Sequence, residues 1–303
     1  MSPDVAASIK ARLLSRAKAQ REEFERTLVR YAVERLLYRL GVSPVRERCI
    51  LKGASLLAVW MSNPYRATRD VDVLSFGAPD DAAIHALLEE VCAVPCAEDG
   101  LRFDLSGVLI VEIRAAHEYR GKRARFLAFL GTARIHVQVD FGFGDALVAG
   151  PTEIEYPTML DGLPAPRLRA YPREASVAEK FEAMVSLDTR NSRMKDFHDV
   201  WALSSAFAFD GPTLRQAIAA CFERRTTPWQ AEVPRALTPA FYQTPEMAAR
   251  WQSYLVAGTI LSPPPGQFEV IGERVMDFLG PVRSSLVEGA AFTSTWEPGG
   301  PWR

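Results

Sequence analysis

Two aspartates lie one residue apart in a run that otherwise has the composition of a buried strand. The run is DVDVLSF, residues 70–76, and the two aspartates are Asp70 and Asp72. Aspartate is disfavoured in strands, but side chains on a strand alternate between its two faces. Both carboxylates therefore point to one side, and Val71 and Val73 point to the other. The spacing predicts paired carboxylates above an apolar layer, and hard cations such as Mg²⁺ bind such oxygen clusters.

A second alternating run, RIHVQVD at residues 134–140, ends in a third carboxylate, Asp140. If the two strands are neighbours and share one apolar layer, Asp140 lies in the same cleft as Asp70 and Asp72. Three carboxylates so close together would raise one another's pKa values unless a cation neutralised them. The alternative is that the D-x-D pair lies at a surface turn or a strand edge, where such pairs are common.

A turn of small residues precedes the paired aspartates. Its sequence is LKGAS, residues 51–55, in which Gly53 allows the backbone to approach a ligand closely. Ser55 stands at the start of the helix predicted over ASLLAVWM, where free N–H groups favour phosphate. A phosphate-binding turn followed by D-x-D on the next strand predicts two-metal phosphoryl or nucleotidyl transfer.

The elements that position these residues divide the chain into a mixed half and a helical half. Strand-like runs occur at 70–76, 107–115, 123–131 and 134–142, with a helix around 79–93. From about residue 174 the apolar spacing is helical. The predicted class is α+β, with an all-α C-terminal domain. The predicted boundaries are N-terminal amphipathic helices over 1–44, an α+β domain over 45–165, a helical domain over 166–285 and an irregular tail over 286–303.

Composition and charge limit the function classes. Hydrophobic residues make up 48% and charged residues 24%, which is typical of globular domains. Without an apolar run long enough for a membrane span or a signal peptide, we expect a cytoplasmic protein that does not contact membranes. The four cysteines lack metal or disulfide spacing and are predicted to be reduced core residues. Residues 1–60 carry twelve Lys or Arg against six acids, and residues 114–134 are also basic. These segments either bind a polyanion or form solvated helix faces.

Charged residues in the helical half could complete the site. Lys180 lies at the edge of an apolar stripe in AEKFEAMVSL, so it either snorkels or reaches into a cleft. Facing a triphosphate, it would act as a point charge. In RMKDFHDVWAL, Asp196 and Asp199 share a helix face beside Arg193. The alternative for both aspartates is a structural ion-pair cluster that locks the helical domain to the catalytic one, and His198 is predicted to be structural.

Taken together, the motifs resemble the AbiEii/AbiGii and MenT toxin family, nucleotidyltransferases of the DNA polymerase β superfamily in type IV toxin–antitoxin systems. The resemblance covers residues 48–205, and Ala54 departs from the family's usual second glycine. It implies a polymerase-β-like sheet flanked by helices and followed by an all-α domain. The matching positions are Lys52, Gly53, Ser55, Arg66, Thr68, Asp70, Asp72, Asp140, Lys180, Arg193, Lys195, Asp196 and Asp199.

The resemblance also implies roles for these residues. Asp70, Asp72 and Asp140 would bind Mg²⁺, with Asp140 also as the base, and Lys180 and Asp196 would complete the catalytic set. Asp199 would support the site, and the NTP would bind between the domains. The nucleotide-binding residues would be Lys52, Gly53, Ser55, Arg66, Thr68, Lys180, Arg193 and Lys195.

The implied reaction is transfer of NMP from NTP to an acceptor, most simply the 3′ end of tRNA, which would block translation and bacterial growth. A cognate antitoxin is the implied partner, and we expect a monomer. A protein or a small molecule is the alternative acceptor. A second alternative is a catalytically silent homologue that binds nucleotide, RNA or antitoxin; it would be expected to lack Asp70, Asp72 or Lys180, and all three are present.

Overall fold

A computed structural model describes residues 3–61, 70–113, 121–145, 147–148, 150–188, 191–257 and 260–303. The chain divides into two compact units. The first comprises residues 1–144 and 151–170, and the second comprises residues 145–150 and 171–303. The paired aspartates belong to the first unit, and Lys180 and Asp196 belong to the second.

The described strands of the first unit form one mixed seven-stranded sheet in the order β3-β4-β5-β2-β1-β7-β6. Strand β2 lies between β1, to which it is antiparallel, and β5, to which it is parallel. The strands are β1 (Cys49–Lys52), β2 (Val71–Ser75), β3 (Leu101–Ile113), β4 (Gly121–Leu130), β5 (Ala133–Phe143), β6 (Thr152–Glu155) and β7 (Arg167–Ala170).

Helices cover the apolar face of this sheet. Helix α2 packs on β5 and β7, and α4 packs on α2 and β3. Asp80 caps α4 by accepting a hydrogen bond from the Ala83 N–H. Val71 and Val73 are almost fully buried, as predicted for the apolar side of β2. The strand begins at Val71, so Asp70 directly precedes it instead of lying on it. The helices of the unit are α1 (Pro3–Gln20), α2 (Phe24–Val42), α3 (Leu57–Trp60) and α4 (Asp81–Cys92).

A buried ion cluster fixes α2 to the sheet unit. Asp99 accepts a bidentate pair from Arg39, at 2.5 and 3.2 Å, and a longer bond from Arg35. Glu34 accepts from the Met159 N–H at 2.6 Å. Asp99, Arg35 and Arg39 are all buried, so these arginines are structural.

The second unit is helical, as predicted. Its helices are α5 (Arg173–Leu187), α6 (Met194–Ala206), α7 (Gly211–Arg224), α8 (Pro239–Tyr242), α9 (Pro245–Leu255) and α10 (Phe268–Val287). Two short strands, β8 (Phe209–Asp210) and β9 (Thr295–Trp296), pair in a small antiparallel ladder. No helix within the described ranges is long and apolar enough to cross a membrane.

Three elements differ from the sequence prediction. The helix expected over ASLLAVWM is only α3, and a 3-10 turn at Gly53–Leu56 precedes it. Strands β6 and β7 were not predicted, because each has only four residues. The tail expected to be irregular pairs through β9 and buries the Trp296 indole, whose N–H donates to the Ser204 carbonyl.

Candidate functional site

Four charged residues stand in register across four neighbouring strands. Lys52 on β1 pairs with Asp72 on β2, Asp72 pairs with Asp140 on β5, and Asp140 pairs with Arg123 on β4. Residues paired in this way present their side chains on the same face of a sheet. We call Lys52, Asp72, Asp140 and Arg123 the charged row. It places two carboxylates side by side between two cations, on the face opposite Val71 and Val73.

The turn before β2 closes onto the second of these residues. Gly53 has a φ of +72°, which L-residues rarely adopt. A Cβ added at Gly53 would lie 2.1 Å from Asp72 Oδ2 and 2.7 Å from its Cγ. The Gly53 backbone therefore lies directly against the Asp72 carboxylate, and glycine is required on two separate grounds.

Ser55 holds the turn to the start of β2. Its side chain is fully buried, and its Oγ donates to the Asp70 carbonyl at 3.2 Å. The hydroxyl is thus bound to backbone and positions the residue that begins the D-x-D pair. Helix α3, which starts two residues later, has only four residues, so it lacks the dipole of a longer helix. Phosphate binding by Ser55 stays a prediction.

Arg123 binds Asp140 with a bidentate ion pair. The Arg123 Nε and Nη2 lie 2.8 and 2.6 Å from the two Asp140 oxygens. This hydrogen bonding raises the pKa of the Arg123 guanidinium, and the charges of Asp140, Asp70 and Asp72 raise it further. The charges of all three predicted carboxylates therefore stabilise the protonated guanidinium of Arg123. This residue was predicted only as part of the basic segment 114–134.

The carboxylates are suited to a hard cation, but they do not already form a three-ligand cage. Among the residues that the structure describes, no three His, Cys, Asp or Glu side chains converge closely enough to hold a metal ion. Asp72 and Asp140 supply two carboxylates in register, and Asp70 as a third ligand stays a prediction.

The helical unit contains a compact charge network of its own. The Lys180 Nζ lies 2.5 Å from Asp199 and 3.4 Å from Asp196. The Arg193 Nε lies 2.5 Å from the other Asp196 oxygen. Both aspartates are buried, so the motif forms an ion-pair network between α5 and α6, within the helical unit. Its predicted roles, toward a nucleotide or in locking the two domains together, stay predictions.

Two other residues of this motif differ in environment. Lys195 is exposed on α6. His198 is fully buried, with its Nδ1 2.8 Å from the Tyr254 hydroxyl, as expected for a structural histidine. The remaining predicted nucleotide contacts, Arg66 and Thr68, lie outside the described residues.

Many basic residues of the two basic segments bind partners within the protein. In the first segment Arg12 and Arg16 donate to backbone carbonyls, and Arg30 pairs with Glu22. In the second, Lys122 pairs with Asp81, and Arg125 donates to Gln138. Of these five side chains, Arg30 and Lys122 pair with acidic groups and the other three bind neutral groups. The basic composition alone therefore does not identify a surface that binds a polyanion.

Comparison with solved structures gives two Helicobacter pylori proteins. The first, JHP933, is 12% identical, with a TM-score of 0.47 over 84% of this chain and 93% of that chain. The second, described as a candidate nucleotidyltransferase, is also 12% identical, with a TM-score of 0.49 over 87% and 97%. The search of curated proteins gives no match.

A family model gives the decisive match. The model described as "Nucleotidyl transferase AbiEii toxin, Type IV TA system" matches residues 35–275. This range contains the charged row and the Lys180 network, and it extends well beyond residue 205, where the recognisable motifs end. The chain therefore belongs to the AbiEii family of nucleotidyltransferase toxins.

Proposed function

We propose that the protein transfers NMP from an NTP to the 3′ end of tRNA in a Mg²⁺-dependent reaction. The observation that carries this proposal is the in-register pair of Asp72 and Asp140, with the Gly53 backbone packed against Asp72. Like charges directly opposite each other in a sheet are unfavourable, and two adjacent carboxylates supply the oxygen ligands that a hard cation prefers. Family membership supplies the reaction class.

The charged row and its neighbours suit this chemistry. Carboxylate oxygens are the ligands that Mg²⁺ prefers, and Mg²⁺ usually keeps one or two carboxylates with substrate phosphates and waters. Asp72 and Asp140 would hold the ion, with Asp70 as a third ligand. Bound Mg²⁺ would stabilise the charge that develops on the transferred phosphoryl group. Nucleotide binding at Gly53 would use its backbone, because the Asp72 carboxylate fills the place of a side chain.

In the transfer step, the acceptor oxygen forms a bond to the α-phosphorus of the NTP. The bond from the α-phosphorus to the bridging oxygen breaks, and pyrophosphate leaves with the electron pair. Asp140 would take the proton of the attacking hydroxyl. The roles predicted for Lys180, Arg193, Lys195 and Asp196 toward the nucleotide remain part of this proposal.

The acceptor rests on the resemblance to MenT-type toxins. The basic segments add little, because many of their side chains bind partners inside the protein. NTP as substrate and a cognate antitoxin as partner follow from the family. A protein or small-molecule acceptor would use the same chemistry at the charged row.

Incubation with Mg²⁺, each labelled NTP and total tRNA tests the proposal. We expect label in the tRNA with the wild type and none with Asp72→Asn. The matched control is Asp104→Asn, which removes a carboxylate from β3 in the same sheet but outside the charged row. Label in protein or in a small molecule, and not in tRNA, would show that the acceptor is not tRNA. Absence of label everywhere would refute the transferase reaction.

Expression in bacteria tests the toxin role. The wild type should arrest growth, and Asp72→Asn, made at the same level, should not. If both proteins arrest growth equally, the charged row is not needed for toxicity. Relief by Asp104→Asn as well would point to a loss of folding rather than of chemistry.

A further inference from the structure

Arg123 is the residue of the charged row that the proposed reaction leaves without a task. It lies on β4 directly opposite Asp140, and its side chain is 29% exposed, whereas the Asp140 side chain is 12% exposed. The two ends of the guanidinium fork bind the two carboxylate oxygens. Such a fork uses both oxygens that a metal ion would need.

We propose that Arg123 is an internal counter-cation that competes with the divalent ion for Asp140. Without metal, the guanidinium offsets the repulsion between Asp140 and Asp72, which are neighbours in register. When metal enters, Arg123 must release at least one Asp140 oxygen, and the ion takes over its charge-neutralising role. Arg123 is thus a positioning residue, and this inference rests on the proposed metal site.

The surroundings of Arg123 support exchange rather than a fixed structural bond. The Arg123 side chain is more exposed than that of Asp140, so a released guanidinium lies close to solvent. This differs from Arg39, which binds Asp99 through a similar fork but is almost completely buried. Breaking the Arg39 pair would strand a charge in the core, whereas breaking the Arg123 pair would expose it to water or to a phosphate.

The chain provides a matched control on the same strand. Arg125 lies two residues farther along β4, on the same face, and its Nε donates to the Gln138 Oε1 at 3.1 Å. Its partner is a neutral amide. Arg125→Gln therefore removes an equal charge from the same strand and face without freeing a carboxylate.

Mn²⁺ binding without nucleotide, followed by electron paramagnetic resonance of the free ion, tests the competition. We expect Arg123→Gln to bind Mn²⁺ on the order of tenfold more tightly than the wild type, because close charge pairs couple strongly. Arg125→Gln should bind as the wild type does. Binding by Arg123→Gln equal to or weaker than that of the wild type would overturn the inference.

Asp72→Asn separates this failure from failure of the proposed function. If Asp72→Asn weakens Mn²⁺ binding while Arg123→Gln leaves it unchanged, the metal site is supported, and the competition between Arg123 and the ion for Asp140 is refuted. If Asp72→Asn has no effect on Mn²⁺ binding, both the metal site and the competition fail.

A measurement on the wild type covers the case in which Arg123→Gln does not fold. The arginine Nε–Hε resonances of the ¹⁵N-labelled protein report directly on the bond from Arg123 Nε to Asp140. We expect one such resonance to shift and to exchange faster with water as Mg²⁺ is added, and the same resonance to be unaffected by Mg²⁺ in Asp72→Asn. Arginine resonances that stay unchanged at saturating Mg²⁺ would overturn the inference.

Discussion

Gly53→Ala is the most direct test of the geometry around Asp72. The substitution adds one methyl group, yet it should disturb both the backbone and a site carboxylate. The φ of +72° costs a non-glycine residue roughly 1–2 kcal/mol. The added Cβ would also lie 2.1 Å from Asp72 Oδ2, much closer than a van der Waals contact. Overpacking of this kind typically costs about 1–3 kcal/mol.

A second glycine separates the two costs. Gly162 belongs to the same unit and has a φ of +85°, but a Cβ added there meets nothing within 4 Å. Gly162→Ala should therefore show the backbone cost alone, roughly 1–2 kcal/mol. Gly53→Ala should show both costs, roughly 2–5 kcal/mol in total. The reduced freedom of the unfolded chain is common to both substitutions and cancels in the comparison.

Urea unfolding gives the free energies of unfolding by linear extrapolation. Hydrogen exchange of the β1 and β2 amides gives the stability of the first unit separately from that of the second. If the transferase proposal holds, Gly53→Ala should also slow transfer by about 100-fold, because a displacement near 1 Å at a site costs that much. A loss of stability within about 0.5 kcal/mol of that of Gly162→Ala would refute the close packing of Gly53 on Asp72.

Three further predictions concern groups outside the charged row. Asp99→Asn should cost about 3–5 kcal/mol, because it leaves two buried guanidinium groups short of their counter-charge; an unchanged urea midpoint would contradict this. Lys180→Met should destabilise the second unit by about 3–5 kcal/mol, because Asp199 is buried beneath it. The control is Lys195→Ala: Lys195 is exposed on α6, so this substitution should change the free energy of unfolding by less than about 0.5 kcal/mol. If Lys180→Met and Lys195→Ala lower the thermal unfolding midpoint equally, the ion-pair network does not stabilise the unit. Burial raises the pKa of Cys96 to about 11 and those of the other three thiols to about 12. Because the reactive thiolate forms only far above pH 8, a thiol reagent at pH 8 should label the cysteines only when the protein unfolds. Rapid labelling of the native protein would contradict the burial of these thiols.

The alternation of β2 could be predicted because it depends on local geometry. In a strand whose apolar residues must face one layer, the side-chain period of two fixes where Asp72 points. The same rule placed Asp140 correctly on the polar face of β5. Neither inference needed knowledge of the remaining chain, beyond the expectation that the two strands are neighbours.

The ion pair between Arg123 and Asp140 was missed, although the sequence contains the signal for it. Strands β4 and β5 are joined by a two-residue turn, and Leu130 pairs with Ala133. A hairpin's turn fixes its register, so counting back from that pair places Arg123 opposite Asp140. The basic composition of residues 114–134 hides this pairing, because only the register across the hairpin shows which charge faces Asp140.

The basic N-terminal segment illustrates what could not be predicted. Arg35 and Arg39 are four residues apart on α2, a spacing that is equally typical of a solvated basic face. Their partner, Asp99, lies 60 or more residues later in the chain. Only the tertiary fold decides whether such a charge meets solvent, a nucleic acid or a buried carboxylate, so net charge alone was a weak guide to the acceptor.

The one departure from the family motif in the turn, Ala54, can be explained by the backbone. Ala54 lies inside the 3-10 turn at Gly53–Leu56, and its φ is not positive, so alanine meets no conformational penalty there. Gly53 alone takes the left-handed conformation and the contact with Asp72. A single glycine is therefore sufficient to bring the backbone against the carboxylate, and the requirement for glycine in this turn depends on where Asp72 lies rather than on the turn itself.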